Sequence, residues 1–271
     1  MTRALDFFVR PDEQCVALTS TFRLIQRIRG HRYSVDDMLV AYVASTRVRQ
    51  PSRVLDLGYG LGSVMLMLAW RYPSAHFVGV EAQPEHVALA RRNVLLNDCE
   101  SRATVFHADL RSDLSGIFAG ALSGAFSGIE ERRLFDLVTA TPPYFDPRSA
   151  TMCADPQRAH AQWELRGGIE DYALAASKVL GEDGCFVTCS AAKPEGRAER
   201  AFEWCGFSPL WRCDVLPSEG ALAFLSLWIA ARNAGSVMEC ESPLVLRKCN
   251  GDRTLEHIQI REAFGISCSA R

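Results

Sequence analysis

The sequence predicts an α/β fold, a mostly parallel sheet covered by helices on both faces. Three observations carry this prediction. From Arg53 onward, short apolar runs alternate with helical stretches, the order expected of strand–helix–strand units. The first run opens into a glycine-rich turn, Gly58-Tyr-Gly-Leu-Gly62, ahead of a helix. The last two runs, Phe207 to Val215 and Ala221 to Ile229, have no helical crossover between them and so pair antiparallel. Together the runs make a Rossmann-like, seven-stranded sheet whose last strand is antiparallel.

Taken in order, residues 1–52 form an N-terminal extension. Nine arginines stand against five carboxylates in residues 1–53, a local positive excess in a chain whose net charge is -2. Arg23-Leu-Ile-Gln-Arg-Ile-Arg29 alternates like an edge strand with a charged face. Ser34-Val-Asp-Asp37 is a capping-box pattern, followed by Met38, Leu39, Tyr42 and Val43 on one helical face. The core spans residues 53–232. Its strands are Val54 to Leu57, His76 to Val80, Ala103 to His107, Phe135 to Ala140 and Cys185 to Cys189, then the final pair. Helices are expected from Ser63 to Tyr72, from Pro84 to about Asn97, from Ile169 to Leu180 and from Pro194 to Cys205. Residues 111–133 are rich in Gly, Ser and Ala and read as a mobile surface insertion, and Asp146 to Arg166 as a polar substrate-side loop. Residues 233–271 supply a C-terminal strand and helix that pack on the core.

The composition, 48% hydrophobic and 23% charged, is that of a globular protein. Near-neutral charge excludes binding to nucleic acid by bulk charge but permits a basic patch. The ten cysteines include no C-x-x-C pair, so they read as reduced thiols in a cytoplasmic protein rather than as a zinc site. The most apolar stretch, Ala221 to Ala231, is too short for a membrane helix and reads as a buried strand. A monomer is expected.

The turn after the first strand differs from the dinucleotide fingerprint. Its glycines are spaced G-x-G-x-G, and an acidic residue, Asp56, sits inside the strand end. A carboxylate there repels a pyrophosphate but suits an ammonium or sulfonium, which favours S-adenosylmethionine over NAD. Glu81 ends the second strand, where it can take both ribose hydroxyls, and Asp109 follows the third, placed for an adenine edge. The fourth strand stops at Thr141-Pro142-Pro143-Tyr144, because two prolines fix φ and remove two donors. Its carbonyls then face the ligand side of the sheet. His31, His76, His86, His107 and His257 share no ligand spacing and read as structural.

These motifs resemble those of class I S-adenosylmethionine-dependent methyltransferases, in which amino-group enzymes carry Asn/Asp/Ser-Pro-Pro-Tyr/Phe where this chain has Thr141-Pro-Pro-Tyr144. More narrowly, the chain resembles the bacterial tRNA-valine adenine N6-methyltransferases in Tyr33-Ser-Val-Asp36-Asp-Met-Leu-Val-Ala, Thr141-Pro-Pro-Tyr-Phe145, Arg158-Ala-His160, Pro243-Leu-Val-Leu-Arg247, Thr254-Leu-Glu-His-Ile and Glu262-Ala-Phe264. The resemblance implies methyl transfer to an exocyclic amine, adenine N6 in tRNA. Asp36, Asp56, Gly58, Gly60, Glu81 and Asp109 would serve the cofactor. Thr141 and the Pro142 carbonyl would accept hydrogen bonds from the amine, Pro143 would complete the corner, and Tyr144 would stack on the base. Arg158 and His160 would contact RNA, and residues 1–52 would form a cofactor lid and RNA face. The same corner also serves rRNA, DNA and protein glutamine amides. Thr141, shorter than asparagine, leaves open a weakened scaffold that only binds the cofactor.

Overall fold

The computed structural model describes residues 9–114, 118, 135–145, 147, 155–232, 235 and 237–266. The elements are β1 (Glu13–Ala17), β2 (Arg23–Arg27), α1 (Val35–Arg47), β3 (Arg53–Leu57), α2 (Ser63–Arg71), β4 (His76–Glu81), α3 (Pro84–Leu96), β5 (Ala103–His107) and β6 (Phe135–Ala140). They continue as α4 (Pro156–Gln162), α5 (Ile169–Val179), β7 (Leu180–Ala191), α6 (Arg197–Trp204), β8 (Ser208–Leu216), β9 (Leu225–Ala231), β10 (Glu239–Val245) and α7 (Leu255–Ala263). Most of the insertion expected over 111–133, and residues 146 and 148–154 of the expected loop, lie outside the described residues.

The main sheet runs β10-β8-β9-β7-β6-β3-β4-β5. β5, β4, β3, β6 and β7 are parallel neighbours, and β9 lies antiparallel between β7 and β8. The strand count is therefore eight, not the expected seven, because β10 adds in parallel to β8 and covers what would be an open edge. β10 is the C-terminal strand expected within residues 233–271, but its place in the sheet is hard to read because its first residues, Glu239-Cys-Glu-Ser, are polar and exposed. Pro243 sits inside the break in register between Glu241 and Leu244, where a missing backbone donor is tolerated. All eight described cysteines are free thiols.

Strand chemistry follows burial. β3 (Arg-Val-Leu-Asp-Leu) and β6 (Phe-Asp-Leu-Val-Thr-Ala) lie at the centre of the sheet and are buried on both faces, so they are apolar throughout except for Asp56 and Thr139, which pair with each other, and the partly exposed Arg53 and Asp136 at their starts. One core lies between the sheet and α1, α2, α3 and α7, and a second beneath α5 and α6. Tyr59 lies across Gly79 of β4, where a Cβ would stand 2.4 Å from its ring, so glycine makes room for this bulky turn residue.

The N-terminal hairpin β1–β2 is a separate sheet tied to the core by two asparagines, Asn93 on α3 and Asn97 at its C-cap. Asn93 accepts from Ile25 N (2.7 Å) and donates to Ile25 O and Leu61 O (both 3.0 Å). Asn97 accepts from Arg23 N and donates to Arg23 O, both at 2.8 Å. The two amides complete the free edge of β2 as a neighbouring strand would. Arg92 adds a pair to the buried Glu13 at 2.7 Å. The anchor fixes the segment between β2 and α1 above the sheet's carboxyl end. Asn93→Ala should strip partners from buried backbone groups and lower stability by about 2–3 kcal/mol. Urea denaturation checks this, and an unchanged midpoint would show that hairpin docking does not depend on the amide.

Candidate active site

β3, β4, β5 and β6 end on the same side, and the segments leaving them surround one cleft. The β3–α2 turn forms its floor. Gly58 N and Tyr59 N donate to Val80 O (2.8 and 3.3 Å), and Gly60 N donates to Glu81 Oε2 (3.1 Å), so the turn is pinned to the end of β4. Gly58 has φ +65°, and a Cβ there would meet the Tyr172 hydroxyl at 2.5 Å, so both conformation and space require glycine. Glu81 also accepts from Gln83 N at 2.7 Å. Asp109 lies on the rim, held by Arg111 at 2.6 and 2.9 Å.

Asp56 does not line the cleft. It lies beneath the turn and accepts from Thr139 Oγ1 (2.9 Å) and Met65 N (3.2 Å), joining β3, β6 and the first turn of α2. Asp36 and Asp37, at the start of α1, do reach the cleft. Asp36 takes a very short hydrogen bond from the Ser34 hydroxyl. Asp37 is buried and accepts from Ser34 N (3.2 Å), Ser63 Oγ (2.8 Å) and Thr141 Oγ1 (3.2 Å).

The Thr141 corner divides the space. Thr141 and Pro143 face the cleft, whereas Pro142 and Tyr144 face a second groove lined by Arg29, Arg32, Tyr33, Phe145 and Arg158. The two meet at His31, Ser34, Asp36 and Ala161. Tyr144 packs edge-on against Phe145 (centroids 5.1 Å apart), which packs on Trp163 (5.3 Å), so the aromatic wall is braced from behind. α4 separates Arg158 from His160. Arg158 is exposed on the groove, while His160 turns to the cleft with Nδ1 buried and unpartnered among the described residues.

His31 and His86, read as structural from their spacing, also line the cleft, with rings 5.3 Å apart. Gln157 supports His31 by accepting from its backbone N at 3.1 Å. Asp37 is the other residue whose role spacing alone obscures. The helix cap accounts for Asp37 through Ser34 N, so nothing in the local sequence signals its longer-range bonds to Ser63 and Thr141.

The cleft is rich in carboxylates and poor in cations. Burial pushes Asp56 up to about 8 against the hydrogen bonds from Thr139 and Met65. Burial, then the neighbouring Asp37, raises Asp36 to about 6. Burial also raises Asp37 and Glu81 above the usual carboxylate range. Asp109 is lowered by its Arg111 hydrogen bonds. Burial lowers His86 to about 3 and holds His31 and His160 down, so the imidazoles are neutral at physiological pH. Among the described residues, Asp36, Asp37 and Asp56 form no ion pair with Arg or Lys. A ligand bearing a sulfonium and an ammonium fits this imbalance.

Residues 35–123 match the family model of the methyltransferase small domain. The chain is an S-adenosylmethionine-dependent methyltransferase. The methyltransferase is 26% identical over 216 residues to a Porphyromonas gingivalis protein named tRNA1(Val) (adenine(37)-N6)-methyltransferase, covering 79% of this chain and 80% of the relative. A protein of the same name from Histophilus somni is 28% identical over 226 residues, with 83% and 86% covered. In fold the methyltransferase is similar to an Agrobacterium tumefaciens protein described as a predicted O-methyltransferase, with a TM-score of 0.61 at 23% identity over 87% of this chain and 99% of that one. It is also similar to Pyrococcus horikoshii TYW2 in complex with MeSAdo, with a TM-score of 0.53 at 10% identity over 82% and 72%. No helix among the described residues is long and apolar enough to cross a membrane.

The sign of the pH dependence follows from the raised carboxyls. A group held above its unfolded value, ordinarily 3.8 for Asp, binds its proton more tightly when folded. Its stabilising contribution is complete below about 3.8 and is lost as pH rises through about 6 for Asp36 and about 8 for Asp56. The ligand-free protein should therefore melt at lower temperature at pH 9 than at pH 5.5. S-adenosylmethionine should raise Tm more than the neutral-sulfur product at equal concentration. Scanning calorimetry across this range checks both, and a Tm that climbs from pH 5.5 to 9 would contradict the assignment.

Proposed function

We propose that this enzyme methylates the exocyclic N6 of an adenine in tRNA. The observation that carries the reading is the position of the Thr141 corner. It presents a hydroxyl to the cofactor cleft and an aromatic ring to a groove flanked by Arg29, Arg32 and Arg158. The names of the Porphyromonas and Histophilus relatives support the substrate.

An exocyclic adenine amine is a weak nucleophile because its lone pair is delocalised into the ring. Catalysis therefore consists of holding the nitrogen in line and accepting its N–H bonds as charge develops. Thr141 Oγ1 takes one N–H and the Pro142 carbonyl the other, while Tyr144 stacks on the base. Bound in the cleft, S-adenosylmethionine would supply an electrophilic methyl to this nitrogen and leave as the neutral thioether, one N–H proton passing to solvent. Glu81 holds the ribose, with Gly58 and Gly60 permitting close approach of the turn, and Asp36 lies where cofactor and base meet. Asp56 acts from beneath by fixing the turn and the start of α2. Arg158 contacts the RNA backbone, and residues 1–52 act as cofactor lid and RNA face. A base stacked in a duplex cannot enter a groove of this kind, so the target is flipped out or lies in a loop.

Incubation with labelled cofactor and separate pools of tRNA, rRNA, DNA and protein, followed by nucleoside mass analysis, should place N6-methyladenosine in tRNA. Label found only in protein would overturn the proposal. Tyr144→Ala should weaken tRNA binding or turnover by about 1–3 kcal/mol while leaving cofactor affinity, read by calorimetry, unchanged. Arg158→Ala should weaken tRNA binding and reduce the slope of log K against log salt by on the order of one. A slope equal to that of the wild type would remove Arg158 from the RNA face.

A further inference from the structure

Thr141 makes the amine-acceptor role unusual, because a free hydroxyl can donate as readily as it accepts. Rotated one way, it would offer a lone pair to an amine. Rotated the other way, it would offer its proton to a ring nitrogen or a carbonyl. An asparagine side-chain oxygen has no such ambiguity, since it only accepts. The geometry around Thr141 removes the ambiguity by other means. Its single hydroxyl proton is directed to Asp37 Oδ1 at 3.2 Å, and the other Asp37 oxygen is held by Ser63 Oγ at 2.8 Å and Ser34 N at 3.2 Å. Asp37 is buried, so little water competes for it, and every hydrogen bond it makes among the described residues is one it accepts.

We infer that Asp37 is a positioning residue that locks the Thr141 hydroxyl as a pure acceptor, selecting a nucleophile that carries N–H over one that presents a carbonyl. The inference rests on the amine-methylation reading above and specifies how this chain satisfies it. With the proton committed to Asp37, Thr141 Oγ1, which lines the cleft, can only accept. An adenine N6 amine donates to it. A purine with oxygen at position 6 would bring an acceptor against an acceptor, leaving both partly unsatisfied in a buried site. Asp37 and Thr141 together then do what the amide of an asparagine does alone. The adjoining carboxylate Asp36 has no comparable position, since its hydrogen bond goes to the exposed Ser34 hydroxyl and not to the corner.

A double-mutant cycle tests this, with N6-methyladenosine formation in tRNA at saturating cofactor as the readout. Asp37→Asn keeps the side-chain volume but can donate to Thr141 Oγ1, which frees the hydroxyl to point the wrong way. In the wild-type background, Asp37→Asn and Asp37→Ala should each lower kcat by tenfold or more, with KM for tRNA within about twofold. In a Thr141→Asn background, whose amide oxygen accepts without help, the same Asp37 changes should lower kcat by less than threefold. Thr141→Ser should stay active and remain dependent on Asp37. Equal losses from Asp37→Asn in the two backgrounds would overturn the inference, because a structural or cofactor-binding role does not depend on residue 141. If Asp37→Ala does not fold, the near-isosteric Asp37→Asn carries the comparison. Absence of N6-methyladenosine with the wild type would overturn both this inference and the functional reading, whereas product from the wild type with additive losses would overturn the inference alone.

Discussion

The site depends on one buried carboxylate. Asp37 joins three parts of the chain that are distant in sequence: the start of α1 through Ser34 N, the start of α2 through Ser63 Oγ, and the end of β6 through Thr141 Oγ1. Burying such a charge is costly unless donors surround it, and here three of them do. The same three bonds decide where the cofactor cleft ends and the substrate groove begins. Moving any of the three segments would break a hydrogen bond to a group that water reaches poorly. These three hydrogen bonds therefore hold the junction together.

Around that junction the structure buries several carboxyl groups with little positive charge to balance their ionised forms. Asp36, Asp56 and Glu81 are each raised by burial, and the neighbouring imidazoles are held neutral. Left alone, such an arrangement destabilises the fold at neutral and alkaline pH. A cationic cofactor turns the cost into binding energy, which couples occupancy of the cleft to stability. The groove on the far side of the corner has the opposite character, with Arg29, Arg32 and Arg158 around Tyr144 and Phe145. A cation-seeking cleft and an anion-seeking groove that meet at Asp36 suit a reaction that brings together a sulfonium and a nucleic acid.

The parallel core was legible because each element repeats a local pattern. Val54 to Leu57, His76 to Val80 and Phe135 to Ala140 are short apolar runs bounded by turns, and helical stretches follow the first two of them. The carboxyl-end location of the corner and the acidic residues followed from the same alternation. What escaped sequence reading depends on long-range geometry. A C-terminal strand is expected within residues 233–271, but only its pairing with β8 shows that β10 joins the main sheet as an eighth strand. Asn93 and Asn97 look like ordinary helix residues until β2 lies beside them. Asp37 reads as a cap because its bond to Ser34 is local, while its bonds to Ser63 and Thr141 span 26 and 104 residues. Asp56, expected beside the cofactor, lies instead beneath the turn, because Thr139 and Met65 N claim its oxygens. His160 and Arg158 look like one motif, but two positions along a helix turn them to different cavities.

The central claim is that the corner receives an amine on a nucleic-acid base, and a single substitution in the substrate tests it most directly. Two tRNA substrates can be compared that differ only at the modified position, one with adenosine and one with inosine, whose six-position is a carbonyl. The account predicts methyl transfer to the adenosine-containing tRNA, recovered as N6-methyladenosine, and loss of transfer at that position with inosine. Equal transfer to both, or recovery of the label on ribose oxygen, would contradict it.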